Sequence, residues 1–98
     1  MRIVYTDNAE HDLDSAFGWY ESQRKGLGFD FLDSVEVSLL IIQQNPELYR
    51  IIYKNFRRSI LRRFPFSIFY TIEKDEIIIH SIFDNRQDPE KLEKELDN

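Results

Sequence analysis

FRRSILRRFPFSIFYTIEKDEIIIHSIF, residues 56–83, reads as three strands in succession. Ile68, Tyr70 and Ile72 alternate with Ser67, Phe69 and Thr71, the period of a sheet with two distinct faces. The spacing predicts strands over Phe56 to Leu61, Phe66 to Glu73 and Glu76 to Phe83. Glu73-Lys74-Asp75-Glu76 forms the turn between the last two, although it lacks the usual glycine. Ile77-Ile78-Ile79 is apolar on both faces, as a central strand requires. His80 alternates with Ile78 and Ile82 and reads as a core histidine. Pro65 cannot donate to a ladder, so it belongs between strands or at an edge. Phe64, Phe66, Phe69 and Tyr70 read as core residues of buried strands rather than as a platform for stacking bases.

The first half has a different period. After a short β-rich stretch, Arg2 to Thr6, the spacing becomes helical: Ala9, Leu13, Ala16, Phe17 and Tyr20 recur on one face. Asp7 is a candidate cap, with Glu10 three residues on as in a capping box. Arg24 and Lys25 suit the carboxyl end of this helix, and Gly26 stops it. A second helix is expected from about Phe29 to Gln44, with Phe31, Leu32, Val35, Leu39 and Ile42 as its buried stripe. Asn45-Pro46 ends it, because proline disfavours helical geometry in the residue before it. So short a link, Leu27-Gly28, implies an antiparallel helical hairpin. The charged tail from Asp88 carries Leu92 and Leu96 at helical spacing and reads as a short helix, docked or frayed. The element order is β-α-α-β-β-β-α: an α+β fold of two layers, with the helical hairpin packed on a mostly antiparallel sheet.

Composition narrows the class. A chain of 98 residues supports one domain, 1–98, around one core. Eight Phe, five Tyr and one Trp supply large buried areas without crosslinks. The absence of cysteine excludes a disulfide framework and thiolate metal sites. No His, Asp or Glu grouping has metal-ligand spacing and no glycine-rich phosphate loop is present, so no metal or other cofactor is expected. Neither a secretory signal nor an apolar run of membrane-spanning length is visible, and a cytoplasmic protein without a membrane partner is expected.

Charge is segregated. Residues 48–72 carry Arg50, Lys54, Arg57, Arg58, Arg62 and Arg63 and no carboxylate, although the chain has 18 acidic residues and a net charge of −5. The acidic background argues against generic nucleic-acid binding, and no sequence-specific DNA binding by this chain alone is expected. The basic stretch fits docking to an anion or an acidic partner. Each arginine taken singly also has a structural reading, as protection of a strand edge or as an ion-pair partner of helix carboxylates.

Several short motifs occur in a telling order. They are Ala9-x-x-x-Leu13, Tyr20-x-x-Gln23, Gly26-Leu27-Gly28 with Phe31 following, and Asn45-Pro46. Then come Phe56-Arg57-Arg58, Leu61-Arg62-Arg63-Phe64-Pro65-Phe66-x-Ile68-x-Tyr70 and Arg86-x-Asp88-Pro89. In this the chain resembles the RelE/ParE superfamily of type II toxins, along nearly its whole length. The resemblance implies a toxin paired with an antitoxin that neutralises it by direct binding, in the context of plasmid maintenance or stress-linked growth arrest. ParE-like members bind and poison DNA gyrase without being enzymes; RelE-like members enter the ribosome and cleave mRNA.

Metal-free RNA cleavage requires a base, an acid and cations aimed at phosphate. A nuclease would use Arg57, Arg58, Arg62, Arg63 and Arg86. Strand alternation puts Arg58 with Arg62 on one face and Arg57 with Arg63 on the other. Where many RelE-like relatives have a His after the last strand, this chain has Asp84 or Asn85, and its tail has neither Tyr nor His. His11, among acidic residues, reads as a surface group. The leading reading is therefore a ParE-like toxin that inhibits growth by binding a protein target, DNA gyrase, through Arg50, Lys54, Arg57, Arg58, Arg62, Arg63 and Arg86. The alternatives are a ribosome-dependent mRNA endonuclease and a degenerate module that only binds its antitoxin. Phe17, Trp19 and Tyr20 are the candidate antitoxin contacts, with partial burial in the core as the competing reading for Trp19.

Overall fold

A computed structural model describes residues 1–97. Its centre is the hairpin read from the alternating run: β4 (Phe66–Glu73) pairs antiparallel with β5 (Glu76–Asp84), from Phe66 opposite Asp84 to Glu73 opposite Glu76. Lys74 takes the left-handed conformation, φ 56°, in the turn where glycine is usual. On one side of the hairpin β1 (Arg2–Tyr5) pairs parallel with β5, and Arg2 is ion-paired to Glu76. On the other side β3 (Phe56–Ile60) pairs with β4, and a short β2 (Ile51–Tyr53) forms the outer edge. The order across the sheet is β1-β5-β4-β3-β2. β2 adds an edge strand to the expected order; Ile51-Ile52-Tyr53 is too short for its period to be read from sequence alone.

The sheet carries one irregularity that strict alternation misses. Phe69 faces Ser81 but Tyr70 faces Ile79, so His80 is an extra residue, a β-bulge. The bulge shifts the parity of β5. Ile77, Ile79 and Ile82 all join the same core, and His80 does not share a face with Ile82. His80 points to the opposite side, with its ring edge-on to Phe56 at 4.9 Å and Nε2 2.8 Å from Thr71 Oγ1. Burial lowers its pKa, with Glu73 opposing. His80 is thus half-buried against Phe56, outside the main core, and not on the face of Ile82 as strict alternation predicted.

Helix α1 (Asp7–Gln23) begins one residue earlier than a cap at Asp7 would require. Thr6 is the cap, its hydroxyl accepting from the Ala9 amide at 3.1 Å. α1 stops at Gln23, before Gly26. Gly26, φ 89°, instead forms the joint from which α2 (Leu27–Gln44) starts directly. Gly26 offers no side chain to cap α2, so Glu21 does so from the last turns of α1. Its carboxylate accepts from the Gly26 amide at 3.0 Å and the Gly28 amide at 3.0 Å. Gly28 is needed for close approach, since a Cβ there would lie 2.8 Å from the Phe17 carbonyl oxygen.

The hairpin α1–α2 lies on one face of the sheet. Phe31 is fully buried among Tyr20, Phe64 and Phe66, with ring centroids 5.3, 5.3 and 5.0 Å away. The pairs meet both offset and edge-on, geometries that add to the area term. Loss of such a buried ring costs roughly 3–5 kcal/mol. On the opposite face Phe56, Phe69 and Phe83 form a second apolar patch. Over it lies α3 (Pro89–Leu96), placing Leu92 and Leu96 on that patch; the helix is docked, with Asp88 as its cap. No helix of the described residues is long and apolar enough to cross a membrane.

Candidate functional site

The arginine set does not converge. β3 ends at Ile60, so alternation does not continue through Arg62 and Arg63, and both line a groove of about 280 Å³ beside α2. Arg63 Nη2 lies 3.9 Å from Asp30 Oδ2 and stands over the Phe64 ring. Val37, Ile41, Tyr49 and Ile60 supply the apolar lining. Leu40, Leu48, Ile51 and Ile52, close in sequence to these lining residues, are exposed as well.

Arg57 turns inward on the helix side. Its Nη1 donates to the Tyr49 carbonyl at 2.6 Å and, less closely, to the Glu47 carbonyl at 3.3 Å. Across the ladder Tyr70 donates its hydroxyl to the Pro46 carbonyl at 2.7 Å; burial pushes its pKa up to about 12, with Arg57 opposing. Together the two side chains fasten the segment leading into β2. Arg58 is exposed on the other face of β3, opposite Phe69. Arg50 is exposed ahead of β2. Lys54 sits in the β2–β3 turn with φ 49°, its Nζ 2.7 Å from Asp97 Oδ1.

Arg86 belongs to a separate cleft, of about 580 Å³, between α1, the end of β5 and α3. Asp84 holds it from both sides of the fork, Nε to Oδ1 at 3.0 Å and Nη2 to Oδ2 at 2.8 Å. The pair stabilises its own charges: hydrogen bonding to Arg86 lowers the Asp84 pKa, and the same bonds raise that of Arg86. Tyr20 borders this cleft. Its pKa is raised chiefly by burial and also by Asp84, with Arg86 opposing. Tyr20 is only 7% exposed and its ring belongs to the aromatic core, which limits it as a contact for another protein. Trp19 beside it is 52% exposed, its ring edge-on to Tyr20. Phe17 is half-buried, packed edge-on against Phe29 at 5.0 Å and over Gly28.

The model of the family described as "ParE toxin of type II toxin-antitoxin system, parDE" matches residues 3–89. This chain belongs to the ParE toxin family. It is accordingly a type II toxin of the RelE/ParE superfamily. A solved structure titled "Chromosomal ParDE TA system from P. aeruginosa" is similar to this ParE-family chain with a TM-score of 0.76 and 22% identity. The match covers 86% of this chain and 95% of the other. At that identity the likeness bears on the fold alone. No curated protein matches the chain.

Sequence reasoning missed three residues of this ParE-family toxin that organise the cleft. Asp84 clamps Arg86. Asp12 reaches from α1 to the Ile82 amide at 3.1 Å, where β1 has ended and β5 has no strand neighbour on that side. Glu95 reaches from α3 to Ser81. The spacing of Asp84 and Arg86 was a usable signal, since residues two apart around a turn can form a fork-to-carboxylate pair. Nothing local joined residue 12 to residues 81 and 95.

Proposed function

We propose that this toxin arrests growth by binding a protein target, DNA gyrase, rather than by cutting RNA, and that an antitoxin neutralises it by direct binding. The observation that carries the binding mode is the state of the cations. Arg86 is engaged by Asp84, Arg57 by backbone carbonyls, and the remaining arginines lie on other surfaces. Phosphoryl transfer needs several cations converging on one phosphate beside a proton-transfer group. Cations spread over a surface suit a broad acidic partner instead.

The groove beside α2 fits an antitoxin segment of apolar and acidic character. Val37, Ile41, Tyr49 and Ile60 give it apolar lining, and Arg62 and Arg63 offer cations to the segment, although Asp30 and Asp33 share the lining. A disordered segment can fold as it fills such a groove.

The test is induced expression in bacteria lacking an antitoxin, scoring growth, DNA breaks and mRNA cleavage together. Arrest with DNA breaks and intact messages is expected. Arrest with ribosome-dependent mRNA cuts overturns the binding mode and makes the cleft at Arg86 a nuclease site. A folded protein that causes no arrest leaves only antitoxin binding.

A further inference from the structure

Ser81 is fully buried in β5, at the point where α1 and α3 both reach the strand. Its Oγ lies 3.3 Å from Asp12 Oδ2 and 3.1 Å from Glu95 Oε2. A serine hydroxyl has a single hydrogen to donate. It can satisfy one of these carboxylates and must turn a lone pair to the other. Asp12 has a second donor, the Ile82 amide at 3.1 Å; among the described residues Glu95 has no such amide. With both groups ionised, two like charges would face each other across one buried hydroxyl. With one proton on the pair, a carboxyl donates where a donor is lacking and the conflict disappears.

We propose that α3 is a latch on the toxin, held shut by one proton shared between Asp12 of α1 and Glu95 of α3. The helix is short, and its other attachments are few. Leu92 and Leu96 rest on Phe56, Phe69 and Phe83, and Asp97 at its end accepts from Lys54 Nζ and Tyr53 Oη. An eight-residue helix is not stable alone in water. Whether it stays down therefore depends on these contacts. Release of α3 uncovers the apolar patch on the free face of the sheet and removes one wall of the cleft at Arg86. This holds whatever target the toxin binds.

The direction with pH follows from which form holds the proton more tightly. Burial, then the neighbouring Asp12, push Glu95 up to about 8 from an ordinary 4.5, with Ser81 opposing. The other charged groups along the same cleft are Asp84 and Arg86, which are paired with each other, and Lys91 one turn back on α3. A docked helix binds the proton more tightly than a released one. Docking is fully favoured at and below the ordinary carboxyl value and weakens as pH rises, by about tenfold per pH unit, until the docked group itself ionises near 8. The latch thus opens on the alkaline side.

Trp19 lines the same cleft as Glu95 and is the one tryptophan of the chain, so its emission reports the state of this wall. The experiment follows Trp19 emission and α3 amide exchange in the full chain from pH 6 to 9, with exchange corrected for its intrinsic pH dependence. Protection of α3 should fall by an order of magnitude or more while that of α1 and α2 holds. Glu95→Gln should keep α3 protected throughout. Asp12→Asn serves as the second variant, because its amide can donate to Glu95 while its carbonyl still accepts from Ile82. Protection of α3 that is flat across this range in the wild-type chain overturns the proposal, as does an unchanged transition in whichever variant folds.

Discussion

Arg57→Ala and Arg58→Ala separate an arginine that builds the fold from one that is free to meet a partner. The two are sequence neighbours on β3, yet only Arg57 is tied to the backbone, through Tyr49 and Glu47. A hydrogen bond from a charged donor contributes roughly 1.5–3 kcal/mol. Both bonds use the same Nη1, and the one to Glu47 is long at 3.3 Å, so they count as little more than one. The expected loss for Arg57→Ala is about 2 kcal/mol, and at ~4–8 °C per kcal/mol for a domain of this size the melting temperature falls by roughly 8–16 °C. Among the described residues Arg58 makes no hydrogen bond or ion pair, and Arg58→Ala should stay within about 0.5 kcal/mol of the wild type. Urea unfolding of the two variants, run beside the growth-arrest assay, distinguishes the roles. Loss of toxicity in Arg57→Ala should track its lost stability; loss in Arg58→Ala should come with an unchanged unfolding midpoint. Equal stability of the two variants refutes the reasoning.

Glu21→Ala removes the only side-chain cap among the described residues at the start of α2 and should cost about 2 kcal/mol in chemical unfolding. Glu21→Gln, which keeps an acceptor but not the charge, should recover part of that loss; a midpoint for Glu21→Ala equal to the wild type excludes the cap. Gly28→Ala drives a methyl to within 2.8 Å of the Phe17 carbonyl, where backbone must move, and should lower stability by roughly 1–3 kcal/mol. A thermal scan that shows no loss would mean that the two helices separate there at little cost.

The sequence by itself determined every element except the short edge strand β2, and their order along the chain. Alternation through Phe66 to Glu73 placed β4 to the residue, and the period of Ala9, Leu13, Ala16 and Tyr20 identified α1. These signals are legible because a strand or helix repeats its geometry along the chain, and burial on one face imprints that repeat on neighbouring residues. The motif string from Ala9 to Pro89 identified the superfamily for the same reason, as spacing within a common frame.

Only the tertiary structure decided what depends on partners distant in sequence. One extra residue at His80 changes which side of β5 meets the helices, and a bulge leaves alternation intact on both of its flanks. The arginines of residues 48–72 form one cluster in sequence but share no single surface in space. β3 ends at Ile60, the segment after it turns beside α2, and Arg57 is drawn inward by carbonyls that local periodicity does not reveal. Asp12, Ser81 and Glu95 meet because α1, β5 and α3 are stacked side by side. Their shared proton is a consequence of burial and like charge at close range, and neither exists until the chain has folded.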